Sequence, residues 1–476
     1  MEPIDYEKLG FKCGIECHQQ LETHKLFCDC PSLVNDPNPD SIRVIRKLRP
    51  VAGETGEIDA AAQHEKAKDK FFVYEACLTS SCLVELDEEP PHPINQEALQ
   101  IALQISRLMH ATILDEIYVM RKTVVDGSNT SGFQRTALVA VDGYVESSLG
   151  KVLVPTICLE EEAAKRIKHD TKSVSYRLDR LGVALVEIGT AADIKNPEHA
   201  KEVAEKIGMI VRSTGKVKRG IGTIRQDVNV SIAGGARTEI KGFQDLKTIP
   251  KVIAFEVTRQ LNLIKKRKVL KEEVRKAEPD GTTSFLRPMP GAARMYPETD
   301  VEPITPVLEE LEPIELIHER IERFEKTYGL SKDLAATLGK SDKAAWFERF
   351  VQKYTNINPS FIAATLASTT TEIRRKMDIP IDTLTEKDFN EIFSYLHDGK
   401  ISKDMIMDVL IKYANGKFNL DNYALISDAE LKIEIKKIIE SHTGASVSAL
   451  MGIVMGKYKG KVDGKKVMEL LKSFVA

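Results

Sequence analysis

Residues 224–243, IRQDVNVSIAGGARTEIKGF, decide the fold class. Two runs of alternating polar and apolar residues flank a Gly-containing turn, which is the pattern of antiparallel strands with one buried face. Successive strand side chains point to opposite sides. In the first run Asp227, Asn229 and Ser231 therefore share one face, and Val228, Val230 and Ile232 share the other. In the second, Arg237, Glu239 and Lys241 line up against Thr238 and Ile240. The same logic puts Glu16 and His18 together in GIECHQQL (14–21) and leaves Glu187 among apolar neighbours in GVALVEI (182–188). KVLVPTICLEEEA (151–163) ends in three adjacent acids, which are costly unless solvated or bound to a cation. A sheet face carrying carboxylates, a His and neighbouring Arg and Lys has the chemistry of a divalent-metal and phosphate site. Carboxylates hold Mg²⁺, the metal bridges phosphate oxygens, and Arg neutralises developing charge. The alternative for any one strand is the wet face of an antiparallel sheet.

The rest of the first ~245 residues continues this pattern. NQEALQIALQISRLMHAT (95–112) reads as an amphipathic helix, and further helices open at Pro197 and after Pro250. From Lys265 to Glu272 the chain is basic, and 277–306 holds six of the twenty prolines, read as a structured loop rather than an element. Beyond Pro306 the pattern is helical almost throughout. The expected class is α+β, divided into a β-rich catalytic region (1–305), an all-α region (306–400) and a small all-α tail (401–476). The 476 residues suit about three domains at roughly 150 residues each. The charge balance, 68 basic against 71 acidic residues with 42 % hydrophobic residues, fits an ordinary globular protein and excludes global disorder. No apolar run approaches the ~20 residues of a membrane span, and MEPIDYEKLG has no apolar h-region. The expected setting is cytoplasmic, with no membrane.

There is no GxxxxGK[ST] loop and no strand-linked GxGxxG, so any nucleotide is held in another way. VDGSNTSGFQRT (125–136), with Ser128, Asn129 and Arg135, is the candidate phosphate-contacting loop; a plain hairpin connection reads equally well. Seven cysteines, an odd number, do not form a disulfide framework. Cys28, Cys30, Cys77 and Cys82 stand as a candidate zinc set, although CxC and Cx4C are looser than paired CxxC knuckles. In 442–476 six lysines (457, 459, 461, 465, 466 and 472) face two acids, a local +4 suited to phosphate contact or to a solvated face.

The segments GIECHQQLETHKLFCDC, CLVELDEEPPHPIN, RKTVVDGSNTSGFQRTALVA, LEEEAAKR, TIRQDVNVSI, TEIKGFQDL and LRPMPGAARMYPETD together resemble the GatE family, the archaeal glutamyl-tRNA(Gln) amidotransferase component related to bacterial GatB. The resemblance runs in order over essentially the whole chain. It implies a ligase that uses ATP and Mg²⁺ to phosphorylate the side-chain carboxylate of Glu attached to tRNA(Gln). Ammonia, supplied by an asparaginase-like glutaminase partner (GatD) in a heterotetramer, then displaces the phosphate. It implies Glu16, His18, Glu161, Asp227 and Glu239 as Mg²⁺ ligands, with Glu160 a weaker candidate and Glu187 orienting a neighbour. Asp227, Arg225 and Arg135 are the implied catalytic residues, and Ser128, Asn129, Arg135, Arg225 and Lys241 the nucleotide contacts. The implied fold is a cradle similar to glutamine synthetase and guanido kinases, followed by a helical domain and a YqeY-like tail that holds tRNA. Two departures stand out: Glu162 replaces an expected Asp, and VLKEEVRKAEPDGTT runs straight through the place, near 270–273, where the family usually carries an insertion resembling part of aspartyl-tRNA synthetase. The competing readings are a relaxed enzyme that also amidates Asp-tRNA(Asn) and a non-catalytic tRNA scaffold.

Overall fold

A computed structural model describes residues 4–33, 40–47, 56, 58, 63, 66–243, 245–289, 295–309, 311–377, 379–423, 428–458, 462 and 464–475. The chain divides into two compact units, Met1–Leu316 and Ile317–Ala476. The first contains β1 (Lys12–Gln20), β2 (Ser41–Arg46), β3 (Phe71–Cys77), α1 (Gln96–Leu108), β4 (Thr112–Ile113), β5 (Val119–Thr123), β6 (Phe133–Ser147) and β7 (Gly150–Glu161). It continues through β8 (Lys165–His169), β9 (Ser173–Arg177), β10 (Ala184–Gly189), α2 (Pro197–Ser213), β11 (Ile224–Ser231), β12 (Thr238–Phe243), α3 (Ile249–Lys265), β13 (Glu273–Ala277), β14 (Thr283–Pro288) and β15 (Met295–Pro297).

Eleven strands form one sheet in the order β14-β13-β12-β11-β1-β10-β7-β6-β5-β15, with β4 beside β6. Neighbours are antiparallel except β12 and β13. The alternation expected for β1, β10, β11 and β12 is what builds its layers. Ile15, Cys17, Val186, Val228 and Ile240 lie on the face that closes over Leu103, Val203, Ile207 and Val252 from the three helices. Asn95 and Asn196 cap α1 and α2 by accepting from Ala98 and His199 backbone N–H groups, which fixes where those helices start. Helix α1 stops short of the expected 112, because His110 turns the chain with φ 55° into β4.

The proline-rich stretch corrects the expectation of a loop without elements: it contains β14, β15 and the end of β13. Pro288 and Pro297 are tolerated because β14 and β15 are the two outermost strands of the sheet, where a missing N–H breaks no inner ladder. The other departure is a second sheet, β2-β3-β9-β8, with β3 and β9 parallel. It packs Phe72, Tyr74, Val174 and Tyr176 into a core of its own.

The second unit is helical: α4 (Ile317–Tyr328), α5 (Lys332–Gly339), α6 (Ala344–Lys353), α7 (Pro359–Ala364), α8 (Thr370–Met377), α9 (Glu386–His397), α10 (Ile406–Ala414), α11 (Asp428–Ser441), α12 (Val447–Lys457) and α13 (Gly464–Val475). One core runs from Phe324 to Tyr423, past the expected boundary at 400, and a second gathers Leu431, Ile435, Leu450, Val454 and Leu471. No helix among the described residues is long and apolar enough to cross a membrane.

Candidate active site

The polar face of the large sheet gathers its charge around β1. Strand register sets His18 opposite Glu187 of β10 and Arg225 of β11, and Glu16 opposite Asp227. Two clusters result, each with ligand atoms within 4.8 Å of one another: His18, Glu160 and Glu187; and Glu16, Asp227 and Glu239. In the first, His18 Nε2 lies 3.2 Å from Glu187 and 3.8 Å from Glu160, and Lys122 Nζ lies 3.5 and 3.8 Å from the same two carboxylates. In the second, Asn229 donates to Glu16 at 3.1 Å, and Lys241 Nζ bridges Asp227 at 2.6 Å and Glu239.

Burial and crowding set the protonation states. Glu160 is pushed up to about 7, by burial first and then by the charge of Glu187. Burial works the same way on Glu187, but the His18 hydrogen bond and the Lys122 charge outweigh it and hold that carboxyl well below its usual range. Glu16 is raised by burial and by Glu187. His18, Lys122 and Lys241 are each raised: burial disfavours their charge, and the surrounding carboxylates overcome it. Five carboxylates thus share one face with two ammonium groups and a His. An oxygen-rich set of this kind suits a hard divalent cation, and the Lys241 ammonium held between two of the carboxylates marks the spot as one that accepts positive charge.

One residue of the implied ligand set, Glu161, stands apart from the others. Glu161 is absent from both clusters, because it neighbours Glu160 on β7 and so points to the opposite face. There Arg135 binds it through the backbone N at 3.0 Å and Nη1 at 3.3 Å, and also binds Glu298 through Nε at 2.8 Å. Glu298 accepts from Arg121 as well. Arg135 is 6 % exposed, so its guanidinium is committed to two buried carboxylates rather than open to a phosphate. Ser128 donates to Asp126 at 2.6 Å. Asn129 is buried and shares a small hollow with Arg135, Glu161 and Glu85, away from the acidic clusters. Of the implied nucleotide contacts, Arg225 and Lys241 are on the acidic face. Arg225 donates to Glu162 at 2.9 Å, and Gln20 donates to the same carboxylate at 3.1 Å. Against the pull of burial, Arg225 and Arg180 hold the Glu162 carboxyl below its usual range.

The cysteine set is also corrected. Cys28, Cys30 and Cys82 come together with Glu85, whereas Cys77 lies in β3 beside Arg177. Glu85 accepts from Cys28 Sγ at 3.0 Å and from the Cys82 backbone N at 2.8 Å, and the fully buried Lys25 ammonium lies 3.5 Å away. Three thiols and a carboxylate within 4.8 Å form a donor set that fits tetrahedral zinc. The thiols share hydrogen bonds, which raise Cys28 and strongly lower Cys82. The motif resemblance ranks Glu160 below Glu161, and neither the resemblance nor the strand pattern points to Lys122 or Glu85. The parity of β7 identifies the first, and the i, i+3 spacing of Cys82 and Glu85 was the available sign of the last.

The sequence model of the GatB/GatE catalytic domain matches residues 11–311, and that of a further GatB domain matches 345–475. The chain belongs to the GatB/GatE family. Its archaeal relatives bear the name of the E subunit of glutamyl-tRNA(Gln) amidotransferase: the protein of Methanocaldococcus jannaschii is 38 % identical over 98 % of this chain and 99 % of its own length. Those of Methanosarcina acetivorans and Sulfurisphaera tokodaii are 36 % and 37 % identical, each over 99 % of this chain and 98 % and 99 % of their own. The first alignment is 624 positions long against 476 residues here, so that relative carries a long stretch with no counterpart in this chain.

Proposed function

We propose that this chain is the tRNA-dependent amidotransferase component that activates the side-chain carboxylate of Glu on tRNA(Gln) with ATP and exchanges it for an amide, a C–N ligase using glutamine-derived ammonia. The observation that carries the reading is the five-carboxylate face inside the region matching the family's catalytic domain. A carboxylate is a poor electrophile, and forming an acyl phosphate splits one hard step into two easier ones. Mg²⁺, held by Glu16, Asp227 and Glu239 with His18, Glu160 and Glu187 beside them, would supply the charge that screens phosphate oxygens from the incoming carboxylate. Lys122 and Lys241, both about a third exposed, bring positive charge to the same face. Arg225 stands at its rim, steadied by Glu162. Arg135 acts as a positioning residue that anchors Glu161 and Glu298 behind the sheet.

The relatives' name supports a subunit of a larger glutamyl-tRNA(Gln) amidotransferase; beyond that name, the motif resemblance leads us to propose a cytoplasmic complex with the asparaginase-like glutaminase GatD, in a heterotetramer that binds Glu-tRNA(Gln). We read 1–305 as the cradle, similar to glutamine synthetase and guanido kinases, 306–400 as a helical domain and 401–476 as a YqeY-like tRNA-holding tail. Residues 401–423 pack into the middle core, which argues for starting the tail after Tyr423. Of the tail lysines, Lys459 and Lys461 and the side chain of Lys465 lie outside the described residues. Cys28, Cys30, Cys82 and Glu85 are read as a structural zinc site. The CLVELDEEPP and SNTSGFQRT motifs argue against a second reading, an enzyme that also accepts Asp-tRNA(Asn), and the stretch missing relative to the M. jannaschii protein leaves it open. Measuring ADP release with Mg-ATP and Glu-tRNA(Gln), Asp-tRNA(Asn) or no tRNA separates them. Turnover with Glu-tRNA(Gln) alone is expected, turnover with both establishes the relaxed enzyme, and silence with all three removes the activity.

A further inference from the structure

We infer that the small sheet β2-β3-β9-β8, with the β8–β9 hairpin as its principal contact, is a phosphate-binding surface for the RNA that carries the substrate, an inference that rests on the tRNA-dependent reading above. Segments 41–47, 66–77 and 165–177 hold eleven Lys and Arg against three acids, in a chain whose overall formal charge is −3. Each acid is already matched: Asp69 to Lys47 at 2.6 Å, Glu75 to Arg43 at 3.8 Å and Asp170 to Lys168 at 3.0 Å. Arg46 and Arg177 are engaged with Glu88 and Asp179. The remaining excess stays at the surface, where Arg166 and Lys172 are exposed beside the equally exposed Lys168–Asp170 pair.

Lysines on edge strands also prevent sheets from adding to one another, and β2 and β8 are the edges here. That explanation does not extend to the basic residues 66–70, which lead into the inner strand β3. Nor does edge protection call for a net excess of this size.

Position supplies the second argument. β7 carries Glu160 and ends at Glu161, and β8 begins at Lys165, so the basic hairpin continues directly from the strand that reaches the acidic face. The small sheet is also locked to the neighbouring loop. Tyr74 and Tyr176 hydroxyls donate to the Gly127 and Asp126 carbonyls at 2.7 and 2.9 Å, and the Ala164 N–H donates to Ser128 O at 2.8 Å. Gly127, at φ 81°, leaves room for the Phe72 ring, which would lie 2.2 Å from a Cβ there. A nucleic acid delivering its aminoacyl end to an acidic face is repelled by that face, and a basic surface rigidly joined beside it offsets the repulsion through counterion release.

The test uses the full chain, an unmodified tRNA(Gln) transcript and binding read by fluorescence anisotropy over a series of salt concentrations. For Arg166→Glu/Lys168→Glu/Lys172→Glu, affinity is expected to fall at least about tenfold and the salt slope to flatten by about 2 to 3, while the charge-preserving Arg166→Lys/Lys168→Arg/Lys172→Arg chain binds like the parent. The milder Lys168→Gln/Lys172→Gln chain, expected to flatten the slope by about 1 to 2, keeps the test decisive if the reversal does not fold. Parental affinity and slope in the substituted chains would overturn the surface and leave the activity standing. A parental chain that binds no tRNA overturns the functional reading itself, and this surface with it.

Discussion

Glu160 and Glu161 are neighbours on β7 with opposite fates. Glu160 meets His18 and Glu187 on a face crowded with carboxylates, while Glu161 meets Arg135 behind the sheet. The first arrangement leaves negative charge in excess and raises Glu160, which is costly to the fold and useful only to a cation. The second pairs charges almost one for one, with Arg121 and Arg135 against Glu161 and Glu298. On the proposed function, one face of the sheet serves the chemistry, while the ion pairs of the other hold the sheet in place. Stability and activity should respond separately to substitutions on the two sides.

The sharpest separation comes from Glu239→Gln. It removes one of the three carboxylates proposed to hold the metal and is expected to lower ADP release at least about a hundredfold, with tRNA affinity within a few-fold. Steady-state ADP assays beside anisotropy titrations check this, and full ATP turnover would end the assigned role of Glu239. On the other face Glu161→Gln should cost about 3 kcal/mol of stability by leaving the buried Arg135 short of a partner. Chemical denaturation measures that loss, and Mn²⁺ affinity should not change. A third contrast concerns the cysteine cluster, which shares Glu85 with the hollow behind the sheet. Purified protein should contain zinc by elemental analysis, and Cys82→Ser or Glu85→Gln should lose it and lower the Tm while the Cys77→Ser chain retains it.

The smallest effect is one of pH. The Glu160 carboxyl is raised to about 7 by burial and by Glu187, so between its unfolded pKa of about 4.3 and 7 the folded chain binds a proton that the unfolded chain does not. Its contribution to stability is fully present below the unfolded value and is lost as pH rises through 7. In metal-free buffer the Tm should therefore rise as pH falls from about 8 to about 6, and Glu160→Gln should flatten that profile. A parental slope retained by the Gln chain would assign the titration to another group.

Much of this was legible in the sequence, for a physical reason. Strand alternation is strictly local, so Glu16, His18, Asp227 and Glu239 could be put on shared faces from their own segments, and the structure brings those faces together. Parity also separates Glu160 from Glu161, whereas the motif resemblance favours Glu161. Partners brought together by tertiary contact were not readable. Lys122 reaches Glu160 and Glu187 from β5, and Glu85 takes the position in the cysteine cluster that spacing suggests for Cys77. The small sheet is invisible to a local reading, because its basic residues come from three separate segments and no single window shows their sum.

On the proposed function, the acidic face is a divalent-cation site. Mn²⁺ binding to the full chain, followed by electron paramagnetic resonance in the parent and in Asp227→Asn, tests it without depending on turnover. Saturable binding by the parent, weakened at least about tenfold in Asp227→Asn, is the predicted result. Equal binding by the two chains would contradict it.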